Sequence, residues 1–322
     1  MRQIWAAIRR YKAGNILIVF AAVQIICVVA SILFPDQFCY LSTSNVQTLL
    51  KSIPPLAILA MGVGLLMIAG EFDLSVGSNF ALTAFVMATT FNLGLSPWLA
   101  MLLALAFGAF IGLVNGLITL WAKIPSFIAT LGAMMFWRGI ILILSGGQTK
   151  PFRPCCAFES LFAGSIGPIQ AQFIWAIAVA VLAQLLLERH KLGNHIFAVG
   201  GNRESAIAIG VNPRTVKMIC FVLVGVLAAS AAVLSTSRVH SVSPDQGKGL
   251  ELQAIAACVI GGLSLAGGEG SILGIFLGSA LLFTIQDVLL LLRAPGSYLD
   301  MFVGILIVVA VVSNRLTKKE RD

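Results

Sequence analysis

LSVGSNFALTAFVMATTFNLGLSPWLAMLLALAFGAFIGLVNGLITLWA, residues Leu74 to Ala122, is a run of 49 residues between Asp73 and Lys123 without one acidic or basic side chain. A helix needs ~20 apolar residues to cross the hydrocarbon of a bilayer, so this run holds two crossings, with a turn near Ser96-Pro97. Its residues are Leu, Ala, Phe, Gly and Met rather than an alternation of polar and apolar side chains, which indicates helices and excludes a transmembrane barrel. The whole chain agrees: 59% of its 322 residues are hydrophobic and 11% charged, against about a quarter charged in soluble domains. The fold expected is an all-α polytopic membrane protein forming one transmembrane domain over residues 1–322.

Reading outward from that run, apolar stretches broken at charges, Pro and Gly clusters give about ten crossings. They lie near 14–34, 53–70, 75–95, 97–121, 126–145, 171–187, 218–237, 252–266, 271–292 and 299–314. The first follows Arg9, Arg10 and Lys12 as a signal peptide would, but the 23 uncharged residues from Ala13 to Pro35 exceed a signal core, so an uncleaved first helix is expected. With the N-terminus in the cytoplasm, residues 1–13, 122–125, 188–217, 267–270 and 315–322 share one side and hold fourteen Lys and Arg, against six opposite. That bias predicts both termini, 1–13 and 315–322, in the cytoplasm.

Two segments interrupt the apolar pattern with glycine. The first is Gly70-Glu71-Phe72-Asp73-Leu74-Ser75-Val76-Gly77-Ser78, and the second runs from Gly261-Gly262 through Gly267-Gly268 to Ser271. Paired broken segments point to an internal repeat and a translocation path, with Gly70, Asp73, Ser75, Gly77, Gly261, Gly262, Gly267 and Gly268 as hinge or structural positions. Glu71 and Asp73 would be expensive acids in lipid and could carry a coupling ion. A turn at the cytoplasmic surface, with Asp73 capping the next helix, also fits them. Gly108, Gly112 and Gly116, and again Gly270, Gly274 and Gly278, recur every four residues, as helix-packing seams do.

The densest charge lies at 188–217, with Glu188, Arg189, Lys191, Arg203, Glu204, Arg214 and Lys217. Inside it, Gly201-Asn202 opens a short Ala/Ile helix from Arg203, and Gly210 followed by Pro213 stops it. A solvated loop and a helix that docks a soluble partner both fit this pattern.

Much chemistry is missing from the sequence. No phosphate-binding loop occurs, and Gly247-Lys248 lacks the glycine before it and the hydroxyl after it. No metalloprotease or nucleophile-elbow motif occurs, and the three histidines lie in loops. Of the six cysteines, Cys27, Cys220 and Cys258 fall within spans and Cys155 and Cys156 are adjacent, so neither a disulfide framework nor a metal site is indicated. The net charge of +8 sits at the ends of spans, where orientation accounts for it without nucleic acid. An enzyme is not expected, nor are catalytic residues or a cofactor.

Four stretches together resemble one family. Gly70 to Ser78 is similar to the G-I-D-L-S-V-G-S signature of the ribose-type, simple-sugar permease subunits of bacterial ABC importers. Three more match in order: Asn115-Gly116 with Ile124 to Gly132 and Arg138-Gly139; Gly201-Asn202-Arg203-Glu204-Ser205-Ala206 with Gly210; and Gly247, Gly249 and Glu251 to Ala257 leading into Gly261-Gly262. Glu71-Phe72, Gln253 and Leu263 depart from the pattern, which leaves the particular sugar open.

The resemblance implies a multi-pass protein of the bacterial inner membrane that passes a monosaccharide or small polyol inward. It implies a separate ABC ATPase docked on Gly201 to Ala206 and Gly210, a periplasmic sugar-binding protein on the opposite face, and a second permease copy or a paralogue completing a dimer. Asn79, Asn115, Ser126, Thr130 and Gln253 are candidate path residues, and interhelical hydrogen bonding is the other role open to each. A branched-chain amino acid permease of a related family and an ion-coupled secondary transporter are the competing readings.

Overall fold

The computed structural model describes residues 14–295, 298, 301–305 and 308. The expected tails, 1–13 and 315–322, and most of the expected last crossing, 299–314, lie outside the described residues. Within them the chain is mostly helix: α1 Gly14–Leu33, α2 Thr43–Ile68, α3 Val76–Asn92, α4 Pro97–Trp121, α5 Ser126–Ser145, α6 Cys156–Ala163, α7 Ala171–Arg189, α8 Lys191–Gly201, α9 Arg203–Ala208, α10 Pro213–Val239, α11 Leu250–Ile260 and α12 Ile272–Leu291. Two small antiparallel pairs join Lys150–Pro151 (β1) to Ser241–Val242 (β4) and Ser165–Ile166 (β2) to Ile169–Gln170 (β3).

Seven of these helices, α1, α2, α4, α5, α7, α10 and α12, are long and apolar enough to cross a membrane. The expected crossings at 75–95 and 252–266 are the shorter α3, of 17 residues, and α11, of 11. The second is cut short because Gly262 turns the chain at φ +88°. The crossing expected to start at 53 begins ten residues earlier, at Thr43. Pro54 and Pro55 lie inside α2, and the start is set instead by Ser42, whose side chain accepts from the Asn45 amide. In the same way α10 begins at Pro213, where Asn212 accepts from the Arg214 and Thr215 amides, so the end of the charged segment is the first turn of a long helix.

The bundle is organised on α2. From Ile53 to Ile68 every residue of this helix is buried, as befits a helix apolar all round, and α7, α8, α10, α11 and α12 pack about it. Close packing beside it depends on glycine. A Cβ on Gly108 would stand 2.6 Å from the Gly225 carbonyl oxygen and 2.7 Å from the Ala229 Cβ, and one on Gly112 would strike the Phe221 carbonyl. The two seams are therefore backbone contacts, α4 on α10 and, through Gly274 and Gly278, α12 on α11.

Candidate functional site

Helix α2 closes at Ala69, and Gly70, at φ +83°, turns the chain out of it. The six residues to Ser75 are not helical, so their backbone groups take partners from elsewhere. Ser126 Oγ accepts from the Phe72 amide at 3.0 Å and Thr130 Oγ1 from the Leu74 amide at 3.1 Å. Asp73 is fully buried, its Oδ1 accepting from the amide and hydroxyl of Ser75 at 2.8 and 2.7 Å. Asn115 Nδ2 donates to Ser75 Oγ at 2.6 Å and to Asp73 Oδ2 at 3.3 Å. Asp73 thus does not sit at a water-facing surface, and its bond is to the turn at Ser75 rather than to the first free amides of α3. Glu71 is ion-paired with Lys217 of α10 at 2.6 Å.

Three of the five candidate path residues, Asn115, Ser126 and Thr130, therefore clasp the first break. Asn79 lies further along α3 and donates to the Gly108 carbonyl at 3.5 Å. Gln253 is half-buried on α11. Gly77 stands at the start of α3, where a Cβ would collide with the Gly247 carbonyl and the Glu251 carboxylate.

The second break runs from Gly261 to Ser271, whose side chain accepts from the Gly274 amide and caps α12. Gly267 and Gly268 adopt φ +83° and +74°. The two breaks touch: the Gly268 amide donates to the Ile68 carbonyl at 2.8 Å. Between them enters the end of α8. A Cβ on Gly200 would overlap the Ile68 carbonyl and approach the Gly268 nitrogen to 2.7 Å, and one on Gly267 would lie 3.0 Å from both the Gly200 oxygen and the Gly70 Cα. Three segments far apart in the sequence thus meet through bare backbone.

Directly beyond this junction comes α9. Asn202 caps it, accepting from the Ser205 amide at 2.9 Å, and Gly210 ends it at φ +83°, matching the expected short helix. Ala206 is its anchor, 1% exposed, while Arg203, Glu204 and Ser205 face outward. Ile207 and Ile209 are 52% and 72% exposed. Helix α8 and the Lys217–Glu71 pair escaped the sequence reading, and the two isoleucines, read as part of the short Ala/Ile helix, were not counted among its docking residues. Helix α9 thus offers a mixed charged and apolar face, and the adjoining α8 is wedged against both breaks.

At the other end of the bundle, Arg238 donates to Ser52 Oγ at 3.0 Å, and His240 contacts Glu159 of α6 at 3.0 Å. Beside them Trp98 meets Phe158 edge to face, Phe158 leans on Phe162 at a tilt, and Phe162 stacks on Trp175. No cluster of metal-ligating side chains occurs among the described residues.

The family described as branched-chain amino acid transport system / permease component matches residues 45–311. Among curated proteins, the Autoinducer 2 import system permease protein LsrC of Salmonella typhimurium (strain LT2) is 34% identical over 298 residues, 92% of this chain and 86% of that protein. Its namesake in Enterobacter sp. (strain 638) is 36% identical over 281 residues, 86% of this chain and 81% of that protein. The one in Escherichia coli O9:H4 (strain HS) is 35% identical over 278, with shares of 86% and 81%. No solved structure matches the chain.

Proposed function

The chain belongs to the branched-chain amino acid transport system / permease component family, as a ribose-type permease subunit of an ABC importer, and from that premise we propose how it works. It is a multi-pass protein of the bacterial inner membrane, without an ATPase of its own, and hydrolysis belongs to a partner subunit. Its cargo is a monosaccharide or similar small polyol, delivered from outside by a soluble binding protein. The relatives named above are autoinducer 2 permeases, which places autoinducer 2 itself among the cargoes to assay. The branched-chain amino acid reading has only the family's broad description behind it.

The observation that carries the mechanism is the wedge of Gly200 between Ile68 and Gly268, one residue from the segment that includes α9. The ATPase docks on the face made by Arg203, Glu204, Ile207 and Ile209, with Gly201, Asn202 and Ser205 shaping the helix start and Ala206 and Gly210 fixing it to the body. Closure of the nucleotide-bound ATPase moves α9 and α8 as one lever. Because α8 touches both breaks, its displacement separates the end of α2 from the 261–271 segment and alternates access to the path. Asn115, Ser126 and Thr130 hold the first break in shape during that movement, and Asn79 and Gln253 remain the candidate polar contacts along the route. The basic residues favour α8 and α9 on the cytoplasmic side with both termini and about ten crossings. A second permease, identical or paralogous, completes the path.

The test is uptake into proteoliposomes holding the permease, its ATPase and its binding protein, across a panel of sugars with autoinducer 2 and leucine. Sugar uptake should need ATP and persist when an uncoupler collapses the proton and sodium gradients. Uptake lost while ATP is still hydrolysed would restore an ion-coupled transporter.

A further inference from the structure

A third stretch of chain leaves the helical state between the end of α10 at Val239 and the start of α11 at Leu250, with Val242 and Pro244 buried and Asp245 and Lys248 exposed. Val242 pairs with Lys150, whose Nζ reaches Thr89 Oγ1 near the far end of α3 at 3.0 Å. Five residues later, Gly247 lies against Gly77 at the opposite end of α3. Only Ser241 and Val242 of this segment are strand; from Pro244 to Gly249 the chain runs in turns, the Gln246 amide donating to the Ser243 carbonyl at 3.1 Å and the Leu250 amide to the Gly247 carbonyl at 3.2 Å, so the segment folds against α3 before α11 begins. Non-helical backbone packed against membrane helices needs protein or water to satisfy it.

Arg138 supplies much of that satisfaction. It is the one charged residue of α5, and its Nη1 donates to the carbonyls of Pro244 and Gln246, each at 2.9 Å. At the foot of the segment Glu251, in the first turn of α11, accepts from the Gly249 amide through Oε1 at 3.1 Å. Its other oxygen, Oε2, is shut away from water, has no hydrogen-bond partner, and lies over the Cα of Gly77 where any Cβ would collide. An acceptor oxygen of a carboxylate buried without a donor is costly. The polar equipment here exceeds what holding the backbone requires.

We propose that Glu251 is a cargo-reading residue, its Oε2 accepting a hydroxyl of a neutral polyol that passes between Gly77 and Gly247, with Arg138 as the positioning residue that holds the segment in place. In the structure the two glycines are in contact and the gap is shut. When α3 and the segment part, two positions without side chains leave a clear opening beside a fixed acceptor. A hydroxyl in that opening gives Oε2 the donor it lacks, and departure of the cargo favours closure. A carboxylate there also repels anionic cargo.

This rests on the permease reading above and is tested in the same proteoliposomes, with the panel sugar imported best and its mono-deoxy analogues. For each compound the uptake KM of Glu251→Gln is divided by that of the unmodified chain, which cancels the shared contribution of the binding protein. The ratio should be about 10- to 100-fold for the parent sugar, the size of a hydrogen bond to a charged group, and should fall to near one for the single analogue missing the hydroxyl that Glu251 accepts. Arg138→Lys should weaken uptake of every compound by a common factor. An equal ratio for all compounds with Glu251→Gln, or no change at all, overturns the assignment and leaves Glu251 as part of the scaffold. If Glu251→Gln does not reach the membrane, Glu251→Asp replaces it and should preserve the analogue pattern at a raised KM, and loss of that pattern overturns the proposal too. Failure of the unmodified chain to import any panel sugar instead refutes the sugar-permease reading itself.

Discussion

Gly200 and Gly201 are neighbours at the end of α8, yet replacing each with alanine should have opposite consequences. A Cβ on Gly201 meets nothing nearer than the Gly268 Cα at 4.0 Å, an ordinary contact. On Gly200 the same methyl overlaps the Ile68 carbonyl and lies 2.7 Å from the Gly268 nitrogen, about 1 Å inside comfortable packing distance. Either α8 retreats from both breaks or the 2.8 Å bond from the Gly268 amide to the Ile68 carbonyl opens. Overpacking costs ~1–3 kcal/mol, and the backbone bond contributes ~1 kcal/mol. Replacing a helical glycine by alanine returns ~0.5–1 kcal/mol, so the net loss for Gly200→Ala is about 1–3 kcal/mol. Gly201→Ala should be neutral or slightly stabilising. The assay pairs thermal unfolding of the detergent-solubilised complex with ATP-driven uptake and ATP hydrolysis stimulated by the loaded binding protein. Gly200→Ala should lose uptake and stimulation together while Gly201→Ala keeps both. Wild-type uptake by Gly200→Ala, or equal damage from the two, would refute the glycine wedge as the route of coupling.

Three further outcomes are expected. Ile207→Asp or Ile209→Asp, on largely exposed side chains, should leave stability within ~0.5 kcal/mol while co-purification of the ATPase falls at least tenfold, and unchanged recovery of the ATPase would remove α9 as its seat. Because the Lys217–Glu71 pair is largely shielded from water, Glu71→Lys alone should destabilise the protein by about 1–3 kcal/mol and the exchange Glu71→Lys with Lys217→Glu should restore most of it; damage in the double variant equal to the single one would show that the two do not act as a pair. A reporter active only in the cytoplasm should signal when inserted near Asn194 and stay silent near Ser160, and the reverse pattern would overturn the orientation.

Features that depend on a residue and its immediate neighbours were legible in the sequence. The uncharged run at 74–122 announced spanning helices, because a charged side chain in hydrocarbon is costly wherever the chain goes. Asn202 and Gly210 marked the ends of α9, since capping and positive-φ turns are properties of a few consecutive residues. Where local rules competed, sequence misled: the second crossing was expected to start near 53, but the cap at Ser42 begins α2 ten residues earlier, at Thr43. Asp73 looked like a surface cap, and only the arrival of Asn115, 42 residues on, shows why it can be buried. The junction of Gly70, Gly200, Gly267 and Gly268 was beyond local reading. A glycine signals that some backbone comes close and carries no side chain to say which one, so the partners were decided by how α2, α8 and the 261–271 segment pack. The same holds for Arg138 and Glu251, on segments more than a hundred residues apart. Their types were visible in the sequence, but it took the folding of the 243–249 turns against α3 and α5 to give one its carbonyls and leave the other an oxygen without a donor.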